Sequence, residues 1–398
     1  MNESQVPPLQ LSEPLPEVTD TGDDLARYCR DIRDASGPVA IDTERASGFR
    51  YSQRAYLVQV RRSGAGTALV DPIAFEDLSR LDTAIGDSEW IVHAATQDLP
   101  SLREVGMRPR ALFDTELAGR LLHFERVGLA SLVEQILGRS MEKQHSAVDW
   151  STRPLPGPWL DYAALDVEAL IELREHLDDL LQQAGKREWA QQEFDALLTY
   201  TGPAARPEPW RHTSGIHKVK SARGLAVVRA VWTARDQIAA AHDITPTRIL
   251  ADSAIIEMAV ECPRSRGKLR DLKSMRARGP RRFLEQWLEA VVAGLDESDD
   301  ALPTKVPRSM GPPPPRVWSH QNPSAAHRLG ACKGAVSEIA EAHDVPTENL
   351  VPPQAIRTLA WEPPSRITVA SVADTLAEAG ARPWQTELLS GRLATELA

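Results

Sequence analysis

Cysteine is scarce in this sequence. Cys29, Cys262 and Cys332 are odd in number and far apart, so they supply neither a disulfide framework nor a metal-ligand spacing. Long apolar runs are missing too: no stretch approaches the ~20 residues that cross a bilayer, and mean hydropathy is -0.33. The opening MNESQVPPLQLSEPLPEVTD lacks a basic start and an apolar stretch, which predicts no secretory signal and a cytoplasmic protein. A phosphate loop of the form G-x-x-x-x-G-K-[ST] is absent. The GK pairs at 185 and 267 lack the remainder, which argues against a helicase motor or a nucleotide cofactor. What remains is a globular chain of 398 residues, 42% hydrophobic and 26% charged, long enough for two or three domains.

The net charge of -10 conceals a partition. Residues 1–205 carry a net of -14, residues 206–295 a net of +8, and residues 296–398 a net of -4. The densest basic run, RSRGKLRDLKSMRARGPRR at 264–282, holds nine cations: Arg264, Arg266, Lys268, Arg270, Lys273, Arg276, Arg278, Arg281 and Arg282. Alone, such a run reads as a solvated face. Inside a basic helical module it becomes a candidate nucleic-acid contact.

Residues 1–21, with four prolines and no helical period, read as a disordered lead-in. A helix is predicted over 22–35, then three short strands at Pro38–Thr43, Tyr56–Val60 and Thr67–Val70, with turns between. Phe75–Ile85 is predicted helical, Trp90–Ala94 a buried strand, Asp98–Val105 a helix, and Ala111–Phe113 a strand leading into a helix over Asp114–Leu122. A meander followed by alternating strands and helices indicates a mixed sheet flanked by helices. Leu160–Leu181 reads as helix, with Leu165, Leu170, Leu173, Leu177 and Leu180 as its apolar stripe. A break at 202–209 closes the first domain, placed at 22–203. A helical domain follows at 210–295. A proline-rich linker, expected to be extended, covers 296–323, and a second helical domain covers 324–398. The two helical segments contain a repeat: IAAAHDITPTRIL at 238–250 and IAEAHDVPTENL at 339–350. No second ligand stands near His242 or His343, so both are read as helix-end residues.

Four acids and a phenol carry the chemistry. Asp42 and Glu44, in AIDTERA, stand two apart and project to one face of a strand, though an exposed edge strand shows the same alternation. Asp98 opens a helix directly after an apolar strand, where an N-cap is the plain alternative. His93, inside that strand, reads as a hydrogen-bonded core histidine. Tyr162 and Asp166 share a helix face at i and i+4, with Asp161 and Glu168 on other, solvated faces. Together, four carboxylates without a Cys or His cluster suit Mg²⁺ or Mn²⁺ rather than zinc. Two such ions ~4 Å apart activate a water and stabilise the leaving oxygen of a phosphodiester.

The order Asp42-x-Glu44, Asp98, Tyr162-x-x-x-Asp166 resembles the tyrosine branch of the DEDD 3′→5′ exonucleases. The words LVQV at 57–60, HAATQDL at 93–99 and DWSTRPL at 149–155 narrow the resemblance to the ribonuclease D family. Residues 215–294 resemble the HRDC domain, and 324–398 looks like a second, divergent copy. The resemblance implies a ribonuclease H-like exonuclease domain followed by two all-α HRDC-like domains. It further implies two divalent cations, Mg²⁺ or Mn²⁺. Asp42, Glu44 and Asp166 would hold the ion on the nucleophile side. Asp42 would bridge to the other ion, which Asp98 holds largely through water, and Tyr162 would orient the attacking water. The implied reaction releases 5′-mononucleotides from RNA 3′ ends, with tRNA precursors and other structured RNA as partners. Two departures are visible: Trp159 stands where the family usually has Gln, and PLPGPW before the tyrosine is rich in proline. A DNA exonuclease and an inert nucleic-acid-binding scaffold are the alternatives.

Overall fold

The computed structural model describes residues 6–142, 145, 147–304 and 311–398. Its first half runs β1 Val18–Thr19, α1 Gly22–Asp34, β2 Val39–Arg45, β3 Ala55–Arg62, β4 Gly66–Val70, α2 Ser79–Ile85, β5 Glu89–Val92 and α3 Leu99–Glu104. Then come β6 Ala111–Asp114, α4 Thr115–Leu121, α5 Leu129–Leu132, α6 Gly157–Glu168, α7 Leu170–Gln183 and α8 Arg187–Leu197. The strands form one six-stranded sheet in the order β1-β4-β3-β2-β5-β6. β2 pairs antiparallel with β3 and parallel with β5, so the sheet is mixed.

Alternation along β2 decides where the acids point. Val39 and Ile41 pack with Leu25, Ile32 and Leu81 of α1 and α2 on one face. Ala40 packs with Val167 and Leu170 on the other, where Ala163 and Ala164 of α6 also cover Leu57 and Leu69. Asp42 and Glu44 continue the Ala40 face, toward the helix that carries Tyr162 and Asp166. β3 is buried on both sides because helices cover both faces of the sheet.

The second half is helical: α9 Ala222–His242, α10 Pro246–Ile249, α11 Asp252–Glu261, α12 Arg266–Asp271, α13 Arg278–Arg281 and α14 Leu284–Leu295. After them lie α15 Trp318–Gln321, α16 Pro323–Ala342, α17 Thr347–Leu350, α18 Pro353–Trp361, α19 Val369–Glu378 and α20 Pro383–Leu397. The first helical module has its own core around Val227, Met258 and Trp287. There α9 and α14 approach so closely that a Cβ on Gly294 would lie 2.7 Å from the Val227 Cα. The second module shares a core with α7 and α8, where Trp384 stacks on Trp189 at 4.8 Å between centroids. No described helix is long and apolar enough to cross a membrane.

Several expectations need correction. From residue 6 onward the lead-in is not disordered: Leu9 is buried, its N–H donates to the Ser140 carbonyl at 2.8 Å, and Val18–Thr19 pairs with β4. A few apolar side chains on an extended proline-rich segment suffice to seat it on the domain. The 296–323 linker is not simply extended either. Trp318 is fully buried in the shared core, and its Nε1 donates to the Pro313 carbonyl at 2.7 Å. Residues 305–310 of that linker lie outside the described ones. The helix expected from Phe75 starts only at Ser79, after a 3₁₀ turn at Pro72–Ala74. Leu160–Leu181 is two helices meeting at Ala169, and Leu181, four residues after Leu177, is the fully buried position rather than Leu180. Glu168 is not solvated: it is nearly buried and pairs with Arg61 at 3.0 Å.

Candidate active site

Three elements converge. β2 supplies Asp42 and Glu44, the loop into α3 supplies Asp98, and α6 supplies Tyr162 and Asp166. Carboxylate oxygens of Asp42, Glu44 and Asp166 lie within 4.8 Å of one another. All five side chains line one open cleft of about 460 Å³, together with Ser47, Gly48, Phe49 and His93. Asp98 sits at the N-cap position of α3 but does not cap it. Its carboxylate instead accepts from Thr43 Oγ1 at 2.7 Å, which turns it toward the other acids.

Gathering these charges under α6 is costly. Burial pushes the Asp42 carboxyl up to about 6. Burial, then repulsion from Asp42, Asp166 and Asp98, drives Glu44 up to about 10. Burial and the Asp42 charge hold Asp98 and Asp166 well above the usual carboxylate range. A fold that keeps four mutually repelling acids in one cleft is built to hold cations, and the hard oxygen donors fit Mg²⁺ or Mn²⁺. Tyr162 stands one turn before Asp166 on α6, so that its hydroxyl and the carboxylate share the cleft. Burial, then the charges of Asp166, Glu44 and Asp42, keeps this phenol protonated at neutral pH.

The remaining expected residues make other contacts. His93 is pushed down to about 4 by burial, stays neutral, and its Nδ1 lies 2.9 Å from Thr115 Oγ1. His242 and His343 end their helices against Phe283 and Trp189. All nine cations of the basic run are exposed, and none lines the cleft. Arg264 and Arg266 are engaged by Asp296 and Glu285 at 2.7 and 2.8 Å, and Arg281 donates to the Met275 carbonyl. Trp159 packs on Trp150, with ring centroids 5.5 Å apart.

Two supporting residues escaped the sequence reading. Asp114 is buried and accepts from the N–H groups of Ala94 and Ala95 at 3.1 and 2.8 Å. It thereby fixes the loop that delivers Asp98, including Ala94 in its left-handed conformation (φ 59). Arg153 binds Asp71 through Nε at 2.6 Å and Nη2 at 2.8 Å, and donates to the Tyr56 carbonyl at 2.7 Å. That clamp ties the segment before α6 to β3. Asp114 carried no signal beyond an N-cap pattern; Arg153 lay within the word DWSTRPL.

The sheet and its acidic cleft define a 3′→5′ exonuclease, and residues 16–182 match the family profile described as 3'-5' exonuclease. Residues 224–291 match the HRDC domain. Residues 311–397 match a profile of their own, the 3' to 5' exonuclease C-terminal domain, which begins inside the proline-rich segment. The chain is 30% identical over 364 residues to the ribonuclease D of Gluconacetobacter diazotrophicus, covering 88% of this chain and 87% of the relative. It is 27% identical over 385 residues to that of Nitrobacter hamburgensis, covering 94% and 92%. Among solved structures, a protein from Bifidobacterium adolescentis is 39% identical with a TM-score of 0.91, over 99% of this chain and 100% of that one. Escherichia coli RNase D, described as an exoribonuclease involved in structured RNA processing, is 25% identical with a TM-score of 0.71, over 96% and 98%. The chain belongs to the ribonuclease D family.

Proposed function

We propose that Asp42, Glu44, Asp98, Tyr162 and Asp166 carry a two-metal-ion hydrolysis that removes 5′-mononucleotides from RNA 3′ ends. The observation that carries this reading is the convergence of carboxylates from β2 and α6 within 4.8 Å, in a cleft also lined by Asp98 and Tyr162. Membership of a 3′→5′ exoribonuclease family supports it and disfavours the DNA exonuclease and the inert scaffold. Asp42, Glu44 and Asp166 would hold the ion on the side of the attacking water, and Asp42 and Asp98 would serve the ion on the side of the leaving oxygen. When bound, Mg²⁺ or Mn²⁺ lowers the pKa of that water and offsets charge on the leaving oxygen. Tyr162, kept protonated by burial and by the neighbouring carboxylates, orients the water rather than deprotonating it.

The working units in this reading are the nuclease domain at 22–203 together with β1 and the seated lead-in before it, the HRDC domain at 210–295, the linker at 296–323 anchored by Trp318, and the second helical domain at 324–398. The basic run Arg264–Arg282 meets phosphates upstream of the reacting end. The substrates are tRNA precursors or other structured RNA, met in the cytoplasm. The test is product analysis on end-labelled RNA and on matched DNA, with free and blocked 3′ termini. Wild type yields mononucleotides from free RNA 3′ ends, and Asp42→Ala abolishes cleavage while leaving binding nearly intact. Cleavage that persists in a chelator would contradict the two-metal reading.

A further inference from the structure

The repeat found in the sequence has a structural use in both copies. In the first, Asp243 follows the end of α9 in a left-handed conformation, φ 48. Its carboxylate accepts from the Ser52 N–H at 2.9 Å and from the Tyr56 hydroxyl at 3.4 Å. The Thr245 N–H donates to the Phe49 carbonyl at 3.0 Å. Arg248 Nε donates to the Gly48 carbonyl at 2.9 Å, and its guanidinium lies 4.0 Å from the Phe49 ring centroid. Two turns before Asp243 on α9, Asp236 accepts from the Tyr51 hydroxyl at 3.1 Å. In the second copy Asp344, φ 51, meets His123 Nδ1 at 2.7 Å, and its carbonyl accepts from Lys186 Nζ at 2.7 Å. Asp tolerates the left-handed position, and there it turns its carboxylate and carbonyl off the helix end toward the neighbouring domain.

The two docking points hold different things. His123 and Lys186 flank α4 and α8, and neither lines the carboxylate cleft. Segment 46–54 joins β2 to β3 directly after the irregularity at Glu44/Arg45, and its Ser47, Gly48 and Phe49 form a wall of that cleft. Inside the nuclease domain the segment has a turn on the Ala46 carbonyl and a bond from Arg50 Nε to Ser151 Oγ at 2.8 Å. Asp243, Thr245, Arg248 and Asp236 of the HRDC module supply its anchors from outside that domain.

Resting on the nuclease function proposed for the cleft, we propose that Asp243 and Arg248 are positioning residues for the exonucleolytic reaction. The HRDC module fixes the cleft wall beside the catalytic strand, in addition to any contact with distant RNA. Fixing a segment costs conformational entropy for every residue ordered. A wall already ordered by the module holds the reacting end in its attack geometry without that cost, so its loss appears in kcat.

The experiment uses the full chain with Arg248→Ala, Arg248→Lys and Asp243→Asn, and Asp344→Asn as the control at the other docking point. Each is assayed on an RNA tetranucleotide, too short to reach the basic run, and on a long RNA. Amide exchange at 46–54 and melting are measured without substrate. Arg248→Ala and Asp243→Asn are expected to lower kcat on the tetranucleotide about tenfold, the cost of a loosened reaction geometry. KM for long RNA should stay within about twofold, because the phosphate contacts that set it are elsewhere. Exchange at Ser52 should speed up, Arg248→Lys should restore part of kcat, and Asp344→Asn should leave kcat unchanged. An unaltered kcat on the tetranucleotide overturns the proposal. So does a rise confined to KM on long RNA with a shallower salt dependence, which would make Arg248 a phosphate contact. Should Arg248→Ala unfold, Asp243→Asn keeps the size and left-handed tolerance of the native residue, and an unchanged kcat in it is equally fatal. A wild type that leaves the tetranucleotide intact would sink the nuclease function instead, and the exchange measurement would still report on the wall.

Discussion

Replacing Asp42 by Asn should stabilise the metal-free protein while destroying its activity. A carboxyl raised from 3.8 to about 6 by burial represents about 3 kcal/mol at neutral pH. The sign follows from linkage: a group with a raised folded-state pKa favours the fold below its ordinary value, and that stability is lost as pH rises through about 6. Asn removes the charge at nearly constant volume and also relieves Glu44, Asp98 and Asp166, each of which is repelled by Asp42. For a nuclease domain of this size, 3 kcal/mol corresponds to about 6–12 °C in Tm. In EDTA at pH 8 the variant should therefore melt above wild type, with the gap narrowing toward pH 5. With excess Mg²⁺ or Mn²⁺ the order should close or invert, because wild type gains binding free energy that the variant forgoes. The assay is scanning calorimetry across pH, with and without metal. A variant that melts below wild type in EDTA, or a gap independent of pH, would refute the claim that the four acids are held together against their own repulsion.

Tyr162→Phe should slow turnover by about 10²-fold, the cost of losing the orientation of the attacking water, with RNA affinity little changed; an equal loss in binding would assign the effect to the ring. Neutralising Arg276, Arg278, Arg281 and Arg282 together should flatten the salt dependence of RNA affinity, by up to about 0.7 in slope for each phosphate of a single strand that they neutralise, and an unchanged slope would return the run to a solvated face. Trp318→Ala should cost about 3–5 kcal/mol in unfolding experiments, since the indole is fully buried and packs on Trp361 at 4.8 Å between ring centroids; a near-neutral effect would mean that the linker is not anchored there.

Much of the chemistry was legible because it is local. Asp42-x-Glu44 shares a face by the period of a strand, and Tyr162 and Asp166 by the period of a helix, so each pair needs only its own element. The strand order, by contrast, depends on which apolar faces meet, and no local period encodes that. Asp98 shows the divide: its place before a helix reads equally as a cap, and only the Thr43 hydroxyl across the sheet turns it into the cleft. Asp114 and Arg153 were obscure for the same reason, since their partners lie 19–20 and 82–97 residues away. The proline-rich segments misled because composition measures how few apolar groups are present; Leu9 and Trp318 show that one well-placed side chain is enough to seat a segment. Sequence alone determined which acids the chain carries and how each pair projects. Tertiary structure decided that the pairs meet, and that a repeated Ala-His-Asp stretch docks two helical modules at separate places on the nuclease domain. Contacts of that kind are set by the packing of distant surfaces, and the free energy of such packing is not written in any one segment.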